Sequence, residues 1–182
     1  MSEGARVGDE WMASADDVAA RDVGARLAAI YAAIADRSMR ELPVFNDRLG
    51  VEAVGFAGHE GRAVGVLVTP WFMNLVVAAL PGGSLPPRPA GASIDHALPG
   101  GDFACVVGEV AGFGRLDSAS LFSPMFEFDD VDVARAVADA AIEEILRPAP
   151  VEPPPVVPPA PSLDRRALLF GRRAGSGDRS CR

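Results

Sequence analysis

Apolar residues recur at helical spacing near the start of the chain. Val23, Leu27, Ile30 and Ile34 fall on one face of a helix predicted over residues 16–37. Ser14 and Asp17 form a capping box for its start, and Pro43 and Asn46 break the pattern past its end. A second stripe, Val131, Ala134, Ala138, Ala141 and Ile145, predicts a helix over residues 130–146. Asp129 or Asp130 can cap it, and Pro148 stops it.

Between the helices the pattern is that of strands. Residues 51–57 and 63–69 flank a turn at His59-Glu60-Gly61-Arg62. Pro70 interrupts the chain. Residues 71–80 are almost wholly apolar, as in a strand buried on both faces or covered by partners. The Gly- and Pro-rich residues 81–91 are loop. Residues 93–98 and 102–110 read as a hairpin around Pro99-Gly100-Gly101, ended by Gly112 and Gly114. Residues 116–128, with Pro124 among them, show no regular pattern.

The order helix, sequential strands, helix predicts an α+β fold. An antiparallel sheet of about five strands packs against an N-terminal and a C-terminal helix, both able to cover one face. Residues 1–147 make that domain. Residues 148–161 hold eight prolines in fourteen positions and read as a semi-rigid polyproline spacer. Residues 162–182 read as a basic, flexible tail.

Charge sharpens this division. All 17 basic residues are Arg. Residues 1–147 carry 11 Arg against 22 acids, and residues 148–182 carry six Arg against three acids. An acidic body disfavours nucleic acid and suits a basic partner segment. No apolar run approaches the roughly 20 residues of a membrane-spanning helix, so direct membrane insertion is not expected. Residues 1–11 carry Glu3, Asp9 and Glu10 and no apolar stretch, unlike a secretory signal; the expected compartment is the cytoplasm. Cys105 lies in an apolar run and reads as a buried small hydrophobe, and Cys181 is penultimate. His59 and His96 read as solvated loop or strand residues. With no Cys or His pair at ligand spacing, neither a metal nor another cofactor is expected.

Two segments are unusual: residues 65–75, containing Thr69-Pro70-Trp71-Phe72-Met73-Asn74, and residues 120–128, containing Phe122-Ser123-Pro124-Met125-Phe126-Glu127-Phe128. Together with Pro99-Gly100-Gly101-Asp102-Phe103 they resemble the HybE/HupJ family of nickel–iron hydrogenase assembly chaperones over about residues 25–146. The resemblance implies a cytoplasmic, non-catalytic protein that holds hydrogenase subunits during maturation. The implied partners are the small-subunit precursor with its twin-arginine export signal, the large subunit as a second candidate, and other maturation factors. Some relatives carry a fused rubredoxin with paired CxxC motifs, which this chain lacks.

Aromatic and Met side chains anchor protein interfaces because they offer large, adaptable contact areas. The candidate partner-binding residues are therefore Trp71, Phe72, Met73, Asn74, Phe122, Met125, Phe126 and Glu127, with burial in the core as the competing role for the apolar ones. Asn74 and Ser123 need hydrogen-bond partners if buried. Glu127, Asp129 and Asp130 could receive arginines, while Asp129 and Asp130 could instead cap the second helix. In the tail, Asp164-Arg165-Arg166-Ala167-Leu168-Leu169-Phe170 resembles a twin-arginine signal core, with Arg165, Arg166, Leu168 and Leu169 as its key positions. The alternatives are a general interaction scaffold, a small ligand-binding domain or a small enzyme. For an enzyme the candidates would be Ser120, Ser123, Asp117, His59 and His96. No nucleophile elbow surrounds either Ser, and a phosphate loop would need a Lys the chain does not have.

Overall fold

The computed structural model describes residues 14–148. The helix α1 spans Ala15–Ile34 and continues as one π-helical turn, Ala35–Met39. Six strands follow: β1 Glu52–His59, β2 Arg62–Val68, β3 Met73–Ala79, β4 Ser93–Leu98, β5 Gly101–Val110 and β6 Gly114–Phe122. The helix α2 spans Val131–Leu146. The sheet order is β1-β2-β3-β6-β5-β4, and every neighbouring pair is antiparallel. The sixth strand is residues 114–122, where the sequence pattern suggested irregular chain. Its mixture of Arg115, Asp117 and Ser with apolar residues hides the strand alternation.

Local chemistry fixes the ends. The Ser14 hydroxyl accepts the Asp17 N–H at the start of α1, and the Asp130 carboxylate accepts the Asp132 N–H at the start of α2. The β1–β2 turn has Glu60 and Gly61 both at positive φ, 48° and 73°. That matches the primed turn a two-residue hairpin favours.

The helices lie on opposite faces of the sheet, which corrects the expectation that both cover one. In β2, Val64, Val66 and Val68 pack with Ala134, Ala138, Ile142 and Ile145 of α2. Ala63 and Leu67 pack with Ala20 and Leu27 of α1. In β3, Met73, Leu75 and Val77 face α2, while Val76 and Ala78 face α1. The reason is visible in the strands: runs apolar at every position leave two hydrophobic faces, and each needs its own cover. Close packing against α1 depends on glycine. The Phe56 ring occupies the space where a Cβ on Gly65 would lie, only 2.3 Å from its Cδ2.

Candidate functional site

Three segments distant in sequence converge beside the C-terminal end of α1. The first is the β2–β3 hairpin tip. Thr69 and Phe72 close it: the Thr69 N–H donates to the Phe72 carbonyl (2.8 Å) and the Phe72 N–H to Thr69 Oγ1 (2.9 Å). Pro70 therefore does not merely interrupt a strand; Pro70 and Trp71 form the tip. The Trp71 ring stacks on Phe45 at 6.2 Å and lies 6.4 Å from Tyr31 of α1. The Phe72 ring meets Trp71 and Tyr31 edge-on, both at 5.6 Å. Such tilted and edge-to-face arrangements are preferred by aromatic quadrupoles. Tyr31, Phe45, Trp71 and Phe72 are all half-buried, and burial raises the Tyr31 hydroxyl pKa.

The second segment follows β6. The Phe122 ring packs edge-on against Phe128 at 5.2 Å. The Ser123–Pro124 peptide is cis, and the Ser123 hydroxyl donates to the Trp71 carbonyl at 3.4 Å. The Phe128 N–H then donates to the Met125 carbonyl at 3.2 Å. That turn drives Met125 and Phe128 into the core and leaves Phe126 and Glu127 at its tip. Met125 is 0 % exposed and Phe126 is 56 % exposed.

The third segment, residues 42–49, ties the other two together. The Asn46 N–H donates to the Pro70 carbonyl at 2.9 Å. The Asn46 side-chain amide donates to the Met125 carbonyl at 2.9 Å and the Phe128 carbonyl at 2.8 Å. Arg48 forms an ion pair with Asp129. Leu42 and Val44 stay exposed beside these anchors.

The predicted contact residues thus divide. Phe126 and Glu127 are exposed, and Trp71, Phe72, Asn74 and Phe122 are half-buried. Met73 and Met125, both 0 % exposed, belong to the core under α2 and present no surface. Each lies on the core face of its strand or turn, where its flexible side chain fills space. The Asn74 side-chain oxygen is buried without a hydrogen-bond partner. Arg165, Arg166, Leu168 and Leu169 lie outside the described residues. Asn46, read from sequence only as a helix breaker, is the group that organises the site. A lone amide among Pro43, Val44 and Phe45 was its one available signal.

The acids around this surface also divide. Asp36 pairs with Arg40, Asp129 with Arg48, and Asp130 caps α2. Glu41, Asp47 and Glu127 are exposed and make no ion pair within the described residues. A cleft of about 240 Å³ opens here between Asp36, Arg40, Phe45, Asp47 and Pro70. These segments therefore carry both apolar side chains and carboxylates without an ion pair among the described residues, and the Arg40 guanidinium lies over the Phe45 ring at 5.9 Å.

A second polar cluster lies on the α2 side of the sheet. Asp117, fully buried, accepts two bonds from Arg115, both at 2.9 Å, and lies 2.9 Å from His96 Nε2. His96 is only 3 % exposed; it is a buried strand residue, not a solvated one. The reason is register: His96 shares a face with Ile94 and Leu98, both packed into the α2-side core. Arg62 closes the group, donating to the Ala97 carbonyl at 3.2 Å and to Glu60 at 2.9 Å. The Cys105 thiol has its pKa pushed up to about 11 by burial and by the Asp117 and Asp95 carboxylates. Among the described residues, no group of three His, Cys, Asp or Glu could hold a metal ion. No helix there is long and apolar enough to cross a membrane.

The sequence profile of the HybE family, described as a NiFe-hydrogenase assembly chaperone, matches residues 22–171. The hydrogenase expression/formation protein HupJ of Bradyrhizobium diazoefficiens is 46 % identical over 162 residues, covering 86 % of this chain and 90 % of that one. The hydrogenase-2 operon protein HybE of Escherichia coli K12 is 34 % identical over 151 residues, covering 83 % and 90 %. The solution structure of HybE from Escherichia coli superimposes with a TM-score of 0.57 at 31 % identity, covering 90 % of this chain and 96 % of that one.

Proposed function

The chain belongs to the HybE family of nickel–iron hydrogenase assembly chaperones, and we propose that it binds the hydrogenase small-subunit precursor in the cytoplasm, through the twin-arginine signal, without catalysing a reaction. The large subunit is the second client of this reading. The convergence at Asn46 carries it. In its support, the segments tied together by Asn46 carry exposed Phe126, Leu42 and Val44, the half-buried Trp71 and Phe45 that pack with Tyr31, and the exposed carboxylates Glu41, Asp47 and Glu127. A segment with adjacent guanidinium groups followed by large apolar side chains matches both parts. Guanidinium groups form forked, charge-assisted bonds to carboxylates. Apolar side chains take the aromatic surface.

The test uses the full chain carrying Phe126→Ala and Glu127→Gln, titrated with precursor and with small subunit lacking its signal. Truncating a central aromatic contact costs about 2 kcal/mol or more, so precursor binding should weaken at least ~30-fold. The protein lacking the signal should bind weakly to both chains. Equal precursor affinity for parent and variant would remove this surface from the function.

A further inference from the structure

We propose that the open edge of β1 takes up an extended segment of a partner protein as a seventh strand, one that alternates apolar with polar residues and carries a carboxylate. This site is separate from the surface around Phe126 and does not depend on it.

The sheet order leaves β1 with a neighbour on one side only. Register shows which of its main-chain groups point away from that neighbour. His59 and Arg62 close the two-residue turn, so they are a hydrogen-bonded pair. Counting along β2 in steps of two, Val64, Val66 and Val68 also turn their N–H and C=O groups to β1, where their partners are Ala57, Val54 and Glu52. Ala53 lies between Glu52 and Val54, so its N–H and C=O turn outward. Gly58 checks the count. It too should face outward, and its N–H donates to the Asp17 carboxylate at 2.9 Å rather than to β2. An unpaired edge is a template for another strand, and proteins blunt edges that must stay alone. Here the Asp17 cap and the bulge between Val54 and Ala57 guard the far half of the edge. Ala53 lies outside both.

Two clefts flank this edge, and Gly55 touches each. One of about 860 Å³ lies between the edge and α1, along Arg21, Ala25 and Ala28. The other, about 630 Å³, lies between the edge and the end of α2, against Ile142 and Leu146. Gly55, at φ 62°, opens the second: a Cβ there would lie 2.4 Å from Ile142 Cγ2. The clefts differ in chemistry. Ile142 and Leu146 offer carbon. In the first cleft Asp17 is engaged by Gly58 and Glu52 by Arg135, at 2.6 Å, while Arg21 is exposed and makes no ion pair among the described residues.

A strand laid along β1 sends successive side chains to opposite faces. One set would enter the apolar cleft, and the other would face Ala25 and Arg21. That is the alternation proposed, with a carboxylate positioned for a charge-assisted bond to Arg21. Main-chain bonds to the edge supply affinity and the alternate pockets supply specificity. A second copy of this chain fits less well, because residues 1–147 carry 11 Arg against 22 acids and two such bodies repel.

The experiment titrates the full chain by anisotropy with a fluorescein-labelled peptide, Thr-Val-Glu-Val-Thr-Val-Thr. Two further peptides are N-methylated, one at its Val positions and the other at its Thr and Glu positions. Only one of these two should bind, because alternate N–H groups of an added strand point to β1 and to solvent. R21E should weaken binding about fivefold, as loss of an exposed ion pair does. A53P removes an N–H that the sheet does not use, a place where an edge strand tolerates Pro, and should weaken binding about tenfold. R21E, on the exposed face of α1, decides the matter if A53P does not fold. The F126A/E127Q chain should bind as the parent does, which keeps this edge distinct from the surface proposed above. Parent-like affinity in a folded R21E or A53P chain, equal behaviour of the two methylated peptides, or no binding by the parent overturns the proposal. So does loss of binding in F126A/E127Q, or sedimentation showing a parent dimer that A53P converts to monomer.

Discussion

The side-chain amide of Asn46 donates to the main-chain carbonyl of Met125, 79 residues further along the chain, at 2.9 Å. Its second proton goes to the Phe128 carbonyl at 2.8 Å. Two carbonyls at a buried turn thereby find donors that no regular element supplies, and the turn that lifts Phe126 into solvent is held from below.

Asn46→Asp tests that role with little change in shape. A carboxylate cannot donate, so both carbonyls lose their partner and face an acceptor. Leaving a buried acceptor unsatisfied costs about 1–3 kcal/mol each, so a loss of about 2–6 kcal/mol is expected in urea melts at neutral pH. Binding of the small-subunit precursor should fall too, because Phe126 loses its mount. A variant as stable as the parent would show that the turn stands without Asn46.

The buried cluster at Asp117 makes the second prediction. Asp117→Asn leaves the bidentate Arg115 beside a neutral group and removes the charge that faces His96. Breaking a buried pair by removing one partner costs about 3–5 kcal/mol. The urea midpoint should drop with an unchanged slope, while precursor binding of the folded fraction stays as in the parent. A stability within about 0.5 kcal/mol of the parent would mean the cluster contributes little.

Asp17 links stability to pH. Its carboxylate accepts the Gly58 N–H at 2.9 Å. That bond, then the Ser14 hydroxyl, holds its pKa below the ordinary 3.8. The native state therefore binds this proton less readily than the unfolded chain. The stabilisation is complete above about pH 4, and it is lost as pH falls through the lower native value. The stability difference between the parent and Asp17→Asn should be flat at neutral pH and shrink below about pH 4. A difference that stays constant in acid would show that charge on Asp17 is not what binds Gly58.

Much of the architecture was written in short-range pattern. The helical stripes at Val23–Leu27 and Ala134–Ala138, the caps at Ser14 and Asp130, and the turns at Glu60-Gly61 and Pro99-Gly100 all follow from residues within a few positions of one another. So did the burial of β3 on both faces, and the two motifs that mark the family. These are properties of the backbone and of spacing, and a single sequence displays them.

Tertiary structure decided what spacing cannot carry. It set α1 and α2 on opposite faces, because the covering of β2 and β3 is shared between elements far apart in the chain. It buried His96 beside Asp117, and it made Met125 core while leaving its neighbour Phe126 in solvent. Neighbouring residues in an irregular segment carry no periodicity that tells inside from outside. Their exposure depends on which distant group reaches them, and here that group is Asn46.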